Sequence, residues 1–556
     1  MSFLAVLHLM CHSHDLTTLA DIREPYTEGL EMAVPVAAAA NNPDGGTRNA
    51  FDDRGAYLKS LTPEIVIALC GPLGTPLHEV ARTFQELLRG TDFGYADVKI
   101  LRLSEQIRRL KGLEGEKSFE RLIDAGNDLR KEYGNSILAK LAVQEILISR
   151  AEHQEQRNAE LRQKDPSAAS DPEVIMPRAP RKCCHIIDSI KNIDELTLLR
   201  SVYGEMLHVV GVYSPIEMRV ERIARIKGPD DEVHKLIDRD SGEEVKYGQS
   251  VEDTFPQCDF FLRVDSATDS QRNTRVRRFL ELMLGTKIIT PTVNERAMYA
   301  AYSAARNSAC LSRQVGAAIT NADGEILASG WNDVPKAFGG LYHTIDQNSS
   351  TDDDRRCWNI EGGRCFNDDE KTTIANAMVD RLIFNGLVDQ SNRGLAFEML
   401  RKDSQLKSLI EFSRAVHAEM HALLTAGETK GGQIRNGKLF VTTYPCHSCA
   451  RHLVAAGVKE VYFLEPYRKS LATRLHSDSI TERESDESKV RLMPFDGVAP
   501  SRFLRFFSAH PGGRKDPKGI MHVHEASPVT SITLEAIHTL EAFTLRALES
   551  AGLNKR

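Results

Sequence analysis

The chain has 556 residues, 41% apolar and 27% charged, with a formal net charge of −7. That length exceeds one ordinary core, so two or more domains are expected. The acidic balance and 6% aromatic content argue against a generic nucleic-acid binder, and no apolar run reaches membrane-spanning length. Ten cysteines without a framework spacing point to a reducing compartment and to thiol or metal chemistry. The apolar start, Met1–Cys11, lacks the basic region of a secretory signal, so a cytoplasmic protein is expected.

Residues 1–60 read as a poorly structured extension, because Ala37–Gly46 has a loop composition. Ile65–Cys70 is a buried-strand run, followed by a Gly71–His78 loop and a helical pattern to Arg89. Strand, glycine turn and helix form the layout of a phosphate-binding loop, with Gly71, Gly74 and Thr75 as candidate nucleotide contacts. The side chains do not follow the layout. Pro76 stands at the second glycine of G-x-x-x-x-G-K-[ST], Leu77 at the lysine and His78 at the hydroxyl. A ligand-free strand-to-helix turn stays equally open. Strands are expected at Val98–Leu103, His185–Ile187, Leu207–Tyr213 and Phe260–Val264. Helices are expected at Phe119–Gly126, Asn135–Arg150 and Pro215–Ile226, with a polar gap at Ala159–Pro180. Such alternation implies a parallel sheet. With Ile187-Asp188-Ser189-Ile190-Lys191, Arg219 and Arg222 on one helix, and Asp238-Arg239-Asp240 as a lid, residues 61–270 resemble the P-loop nucleoside and nucleotide kinases. The resemblance implies a parallel sheet with helices on both faces, here with a degenerate Walker A loop and a regulatory role.

Ser266–Arg275 is polar and reads as a linker to a second domain spanning 275–556. Helices at Val276–Gly285 and Asn294–Asn307 precede a hairpin, Val315–Thr320 and Ile326–Trp331, around Asn321–Gly324. The chemistry lies further on, in His417-Ala418-Glu419 and Pro445-Cys446-His447-Ser448-Cys449. H-x-E followed by P-C-x-x-C is the signature of zinc nucleobase deaminases. One imidazole and two thiolates hold Zn²⁺ and leave a fourth position open, so that water becomes nucleophilic near neutral pH. Glu419 is then the proton carrier rather than a ligand. A helix Arg414–Ala426 is expected to carry His417, and a second, running to Gly457, to carry both thiols in its first turn, where the dipole favours thiolates. Chance H-x-E with a redox or structural C-x-x-C is the weaker reading, since each half sits in order and one follows the strand-like Lys438–Thr443.

The order Glu295-x-x-Met298, Arg306-Asn307-Ser308, Arg313-Gln314-Val315-Gly316-Ala317, Gly330-Trp331-Asn332-x-x-Pro335, His417-Ala418-Glu419 and Pro445-Cys446-x-x-Cys449 resembles the deoxycytidylate deaminase family over 275–515. The resemblance implies a cytidine deaminase-like α/β/α layer with a mixed sheet. It implies His417, Cys446 and Cys449 as zinc ligands, Glu419 as proton shuttle, Asn332 on the sugar and the Ala418 backbone on the pyrimidine. Arg306 and Arg313 flank a loop that could face phosphates, though arginines on surface loops need no such role. Residues 333–416 form an insertion, with helices expected at Thr373–Leu387 and Gln405–Ser413. There His343, Cys357 and Cys365 could hold a second, structural zinc, but buried free cysteines fit the spacing better. Pro494 to Phe507 is expected to close this domain, and Thr530–Leu548 to form an amphipathic helix.

The fusion as a whole resembles bacterial anti-phage dCTP/dCMP deaminases. That resemblance implies free deoxycytidine nucleotides as substrates, an inhibitory small RNA as partner, and a homo-oligomer. Two other readings remain from the residues themselves. A polynucleotide cytosine or adenine deaminase needs a basic, aromatic-lined channel, which the composition does not supply. A non-catalytic zinc module has no use for Glu419.

Overall fold

The architecture is that of a computed structural model, described for residues 62–164, 181–227, 233, 236–237, 250–264, 269–344, 354–360, 362–465, 470–509, 513–515, 518–529 and 534–553. The extension 1–60 and the lid Asp238-Arg239-Asp240 lie outside the described residues. The chain divides into a unit of 62–145 with 180–556 and a unit of 1–61 with 146–179. Of the second unit the described part, 146–164, is helical. The first unit holds two six-stranded sheets, giving a mixed α/β fold rich in parallel strands.

The first sheet contains β1 (Ile65–Cys70), β2 (Asp97–Arg102), β3 (Cys183–Ile190), β4 (Leu207–Tyr213) and β5 (Phe260–Arg263). They run parallel in the order β5-β4-β1-β3-β2. The run Ile-Val-Ile-Ala-Leu-Cys of β1 is buried at every position. A central parallel strand covered on both faces has no solvent side, so its sequence does not alternate. Helix α1 (Leu77–Arg89) follows the glycine loop and buries Val80, Ala81, Phe84 and Leu88 against this sheet. Helix α2 (Ile216–Lys227) follows β4.

The expected linker is instead helix. From Asp269 the chain forms α3 (Asp269–Met283), which drives Val276, Phe279, Leu280 and Met283 into the first core. Its polar opening turns are the solvent side of an amphipathic helix, which composition alone cannot tell from a linker.

The second sheet is built on helix α4 (Val293–Ala305) and strands β6 (Gly316–Thr320) and β7 (Ile326–Trp331). After the insertion, with helix α5 (Phe366–Phe384), come α6 (Ala418–Lys430), β8 (Lys438–Thr443), α7 (His447–Ala456) and β9 (Glu460–Glu465). Strands β10 (Ile480–Thr481) and β11 (Val490–Pro494) complete the order β10-β11-β9-β8-β6-β7. The β6–β7 hairpin and the β6–β8 pair are antiparallel and the rest parallel, which makes a mixed sheet.

Two glycines fix the helices to this sheet. A Cβ on Gly316 would lie 1.9 Å from the Ala301 carbonyl of α4, and one on Gly330 would lie 2.4 Å from the Ala422 nitrogen of α6. Gly330 faces Ala317 across the ladder and Gly316 faces Trp331. Neighbouring positions on a strand point to opposite faces, so α4 and α6 cover opposite sides of the sheet.

Other expectations change in detail. Helix α6 opens after His417, not at Arg414, because Val416 is held in a bridge to Asp333. Of the expected Gln405–Ser413 helix only a turn, Gln405–Ser408, forms. The stretch after Pro494 does not simply close the second sheet. Gly497–Val498, strand β12, pairs antiparallel with β5 of the first sheet, and Phe506 and Phe507 pack on the first core.

Candidate metal centre and its surroundings

His417 occupies the N-cap of α6 and Cys446 the N-cap of α7, both with extended backbone. The His417 Nδ1 atom lies 3.4 Å from Cys446 Sγ and 3.3 Å from Cys449 Sγ. The ligand atoms of these three residues fall within 4.8 Å of one another, and they form the one such His/Cys/Asp/Glu group among the described residues. The N-termini of α6 and α7 thus bring one imidazole and two thiols to a point. Cys446 also accepts the Cys449 N–H at 3.4 Å, closing the first turn of α7.

The electrostatics of the three groups are strongly coupled. The Cys449 thiol, and then His417, hold Cys446 down to about 4. Cys446 in turn raises His417 to about 9, and the same Cys446 contact pushes the Cys449 thiol well up. The three groups therefore compete for protons at one point. A dication in place of those protons suits the set, since zinc binding releases protons from just such ligands. Glu419 sits in the first turn of α6 and is 4% exposed; burial raises its carboxyl.

Asn332 lies beside this centre because its neighbours are tied to α6. Gly330 packs on Ala418 and Ala422, and Asp333 pairs with Val416. The Asn332 amide is engaged locally. Its Oδ1 accepts the Val315 N–H at 2.7 Å and its Nδ2 donates to the Arg313 carbonyl at 2.8 Å. Trp331 N–H donates to His421 Nδ1 at 3.1 Å, one turn along α6 from His417, and the two rings meet edge to face. Ala418 is fully buried.

Arg306 and Arg313 fall on the loop between α4 and β6. Arg306 bonds Gln314 at 3.1 Å and stacks over Tyr302, while Arg313 pairs with Glu465. Glu465 also accepts the Thr443 hydroxyl at 3.2 Å, at the ends of β8 and β9. Sequence reasoning missed Glu465. Its position at the carboxyl end of a parallel strand, opposite Thr443, becomes visible only with the register. It also missed Asp333, 1% exposed, which accepts the Ala309 N–H at 3.0 Å and lies 3.7 Å from Arg356.

Cys310, Cys357 and Cys365 line one cavity of about 20 Å³ with Asp333, Ser413 and Arg414, room for about one water. Burial raises the Cys357 thiol. His343 Nδ1 lies 3.4 Å from the Leu341 carbonyl. No second group of three ligand atoms appears among the described residues.

Gly71, Gly74 and Thr75 stand at the end of β1, in the first sheet and not with His417. Gly74 has φ +85°, and a Cβ there would meet the Arg219 carbonyl of α2 at 2.8 Å. Thr75 Oγ1 is buried with no hydrogen-bond partner among the described residues. His78 Nδ1 is 3.4 Å from Asp188, near enough to attract but not aligned as a hydrogen bond, and burial raises the Asp188 carboxyl. Arg222 pairs with Glu79.

Comparison with known proteins adds to this geometry. The profile of the family described as cytidine and deoxycytidylate deaminase zinc-binding region matches residues 291–465. The deoxycytidylate deaminase of Enterobacteria phage T2 is 27% identical over 170 residues, 31% of this chain and 78% of that protein. A UPF0200 protein of Saccharolobus islandicus is 26% identical over 203 residues, 36% of this chain and 85% of that one. A solved dCMP deaminase from cyanophage S-TIM5, in complex with dCMP and dUMP, aligns over 37% of this chain and 99% of its own at 21% identity, with a TM-score of 0.22. No helix among the described residues is long and apolar enough to cross a membrane. The second sheet and its helices thus contain a deoxycytidylate deaminase-type zinc-binding domain.

Proposed function

We propose that the chain hydrolytically deaminates free deoxycytidine nucleotides, dCMP or dCTP, to the corresponding deoxyuridine nucleotides. The observation that carries this reading is the convergence of His417, Cys446 and Cys449 with the buried Glu419 in the first turn of the same helix. When bound there, zinc supplies the Lewis acidity that makes water nucleophilic near neutral pH. Glu419 takes the proton of the attacking water at its carboxylate and delivers it to the pyrimidine ring nitrogen. It then carries the second proton to the departing amine, so that water and cytosine leave as uracil and ammonia. The Ala418 backbone and the Asn332 loop line the approach to the base and sugar. A substrate phosphate would compete with Glu465 for the Arg313 guanidinium.

We read the first sheet as a regulatory layer without phosphoryl transfer. A cation and a magnesium-binding hydroxyl are what that chemistry needs. Leu77 and His78 stand in their places, and Arg219 closes over Gly74. The resemblance of the whole arrangement supports depletion of deoxycytidine nucleotides in anti-phage defence, restrained by a small RNA and performed by an oligomer.

Incubating the full chain with CMP, dCMP, CTP, dCTP and single-stranded DNA, and following cytosine to uracil, tests the proposal. Fast conversion of dCMP or dCTP is expected. Faster conversion of single-stranded DNA than of any mononucleotide would overturn it.

A further inference from the structure

The turn that delivers Cys446 is tied to the segment that follows edge strand β10. Tyr444, two residues before Cys446, is 7% exposed, and its hydroxyl donates to Glu482 Oε1 at 2.7 Å. Its backbone N–H donates to the Glu465 carbonyl at 2.9 Å, and its ring packs edge-on against Phe463. The next carbonyl, that of Pro445, accepts the Ser470 hydroxyl at 2.8 Å. Pro445 has no N–H to bond, so the tyrosine hydroxyl and the Ser470 hydroxyl are side-chain anchors of this turn.

Glu482 is itself fixed by its neighbours. It directly follows edge strand β10, which is paired to β11. Arg483 N–H donates to Thr481 Oγ1 at 3.1 Å, and the Glu484 carbonyl accepts from Arg491 at 3.0 Å. The Glu484 side chain accepts from Arg263 at 2.6 Å, at the last position of β5 in the first sheet. The Arg263 guanidinium also lies 3.4 Å from Met493 Sδ, and its backbone N–H lies 3.4 Å from Asp496. Residues 482–484 therefore form a bracket between the carboxyl end of the first sheet and the cysteine turn of the second.

We propose that Glu482 is a positioning residue for the metal centre: through the Tyr444 hydroxyl it sets the place of Cys446, and the first sheet, through Arg263 and Glu484, holds Glu482 in place. This rests on the reading of His417, Cys446 and Cys449 as zinc ligands. Supporting groups around metal ligands fix orientation, and loosening them weakens metal retention. A hydrogen bond to a carboxylate is stronger than a neutral one, so its loss is readable.

The test measures zinc transfer from the full-length chain to a chromophoric chelator, together with the thiolate-to-metal absorption of the cobalt-substituted protein. Tyr444→Phe and Glu482→Ala are each expected to speed zinc loss about tenfold, the size of effect for one charge-assisted hydrogen bond. Glu482→Gln, which keeps an acceptor oxygen, should stay close to wild type. The double variant Tyr444→Phe/Glu482→Ala should lose zinc no faster than either single one, because both remove the same bond. The cobalt band should shift in the two disruptive variants and not in Glu482→Gln. Wild-type release rates and an unchanged cobalt band in Tyr444→Phe, with zinc bound normally, overturn the proposal alone. A wild-type chain that binds no zinc defeats the ligand reading and the proposal with it.

Discussion

Two strand–turn–helix junctions in this molecule share a layout and differ in content. In the first sheet β1 runs through Gly71–Pro76 into α1; in the second, β8 runs through Tyr444-Pro445-Cys446 into α7. Each leads from the carboxyl end of a strand to a helix N-terminus, where ligands collect in α/β folds. At the first junction the charged groups face partners within the chain and no ligand set converges: His78 faces Asp188, Arg222 pairs with Glu79, and Arg219 lies against Gly74. At the second, three ligand atoms converge and a carboxyl is buried beside them. Backbone layout sets where a site can be, and the side chains decide whether there is one.

Substitutions sharpen the contrast. The largest effect is expected at Glu419. Glu419→Gln should keep zinc and lose turnover by about 10³-fold, within the range for general acid–base groups. Near-wild-type rates at full zinc occupancy would remove the proton shuttle. Cys446→Ser should weaken zinc affinity by about a hundredfold or more, read by chelator competition, because a thiolate ligand is replaced by an alcohol that stays protonated.

Asn332→Ala should cost on the order of 2 kcal/mol of stability, since it leaves the Val315 N–H and the Arg313 carbonyl without their partner. It should also raise KM more than it lowers kcat if the loop lines the sugar. Thermal melting and steady-state kinetics separate the two outcomes.

Acid should act first on the first sheet. His208 of β4 is 5% exposed and packs among Phe279, Phe506, Asp259, Arg502 and Arg505; burial lowers it to about 4. Its folded value lies below the unfolded one, so its contribution is intact above pH 6.5 and is lost as pH falls toward 4. That lowering corresponds to on the order of 3 kcal/mol. His208→Gln should flatten the stability profile between pH 6.5 and 4 in denaturant titrations. The smallest effect is expected at Asp188. Asp188→Asn should change deamination less than about twofold and create no phosphate release from ATP or GTP, because Asp188 faces His78 in the first sheet and not in the second.

The metal centre was legible because its residue types have fixed chemistry and a short signature; His417, Cys446 and Cys449 come together as that signature requires. Strands β1, β4 and β8 were legible because apolar runs between turn residues admit few alternatives. Other features were hidden for physical reasons. The polar start of α3 resembles a linker until its buried stripe is known. The N-terminal limit of α6 is set by a bridge between Asp333 and Val416, which are far apart in sequence. Strand β12 has two residues and joins a sheet whose other strands lie more than two hundred positions earlier. The partners of Glu465 and Glu482 are far away in sequence and meet only in the folded chain.

The most direct measurement is ammonia release from dCMP and dCTP by the wild-type chain and by Glu419→Gln, each assayed for zinc in the same preparation. The account predicts bound zinc in both proteins and ammonia from the wild type alone. Zinc in both with equal ammonia release, or release from neither nucleotide by the zinc-loaded wild type, would contradict it.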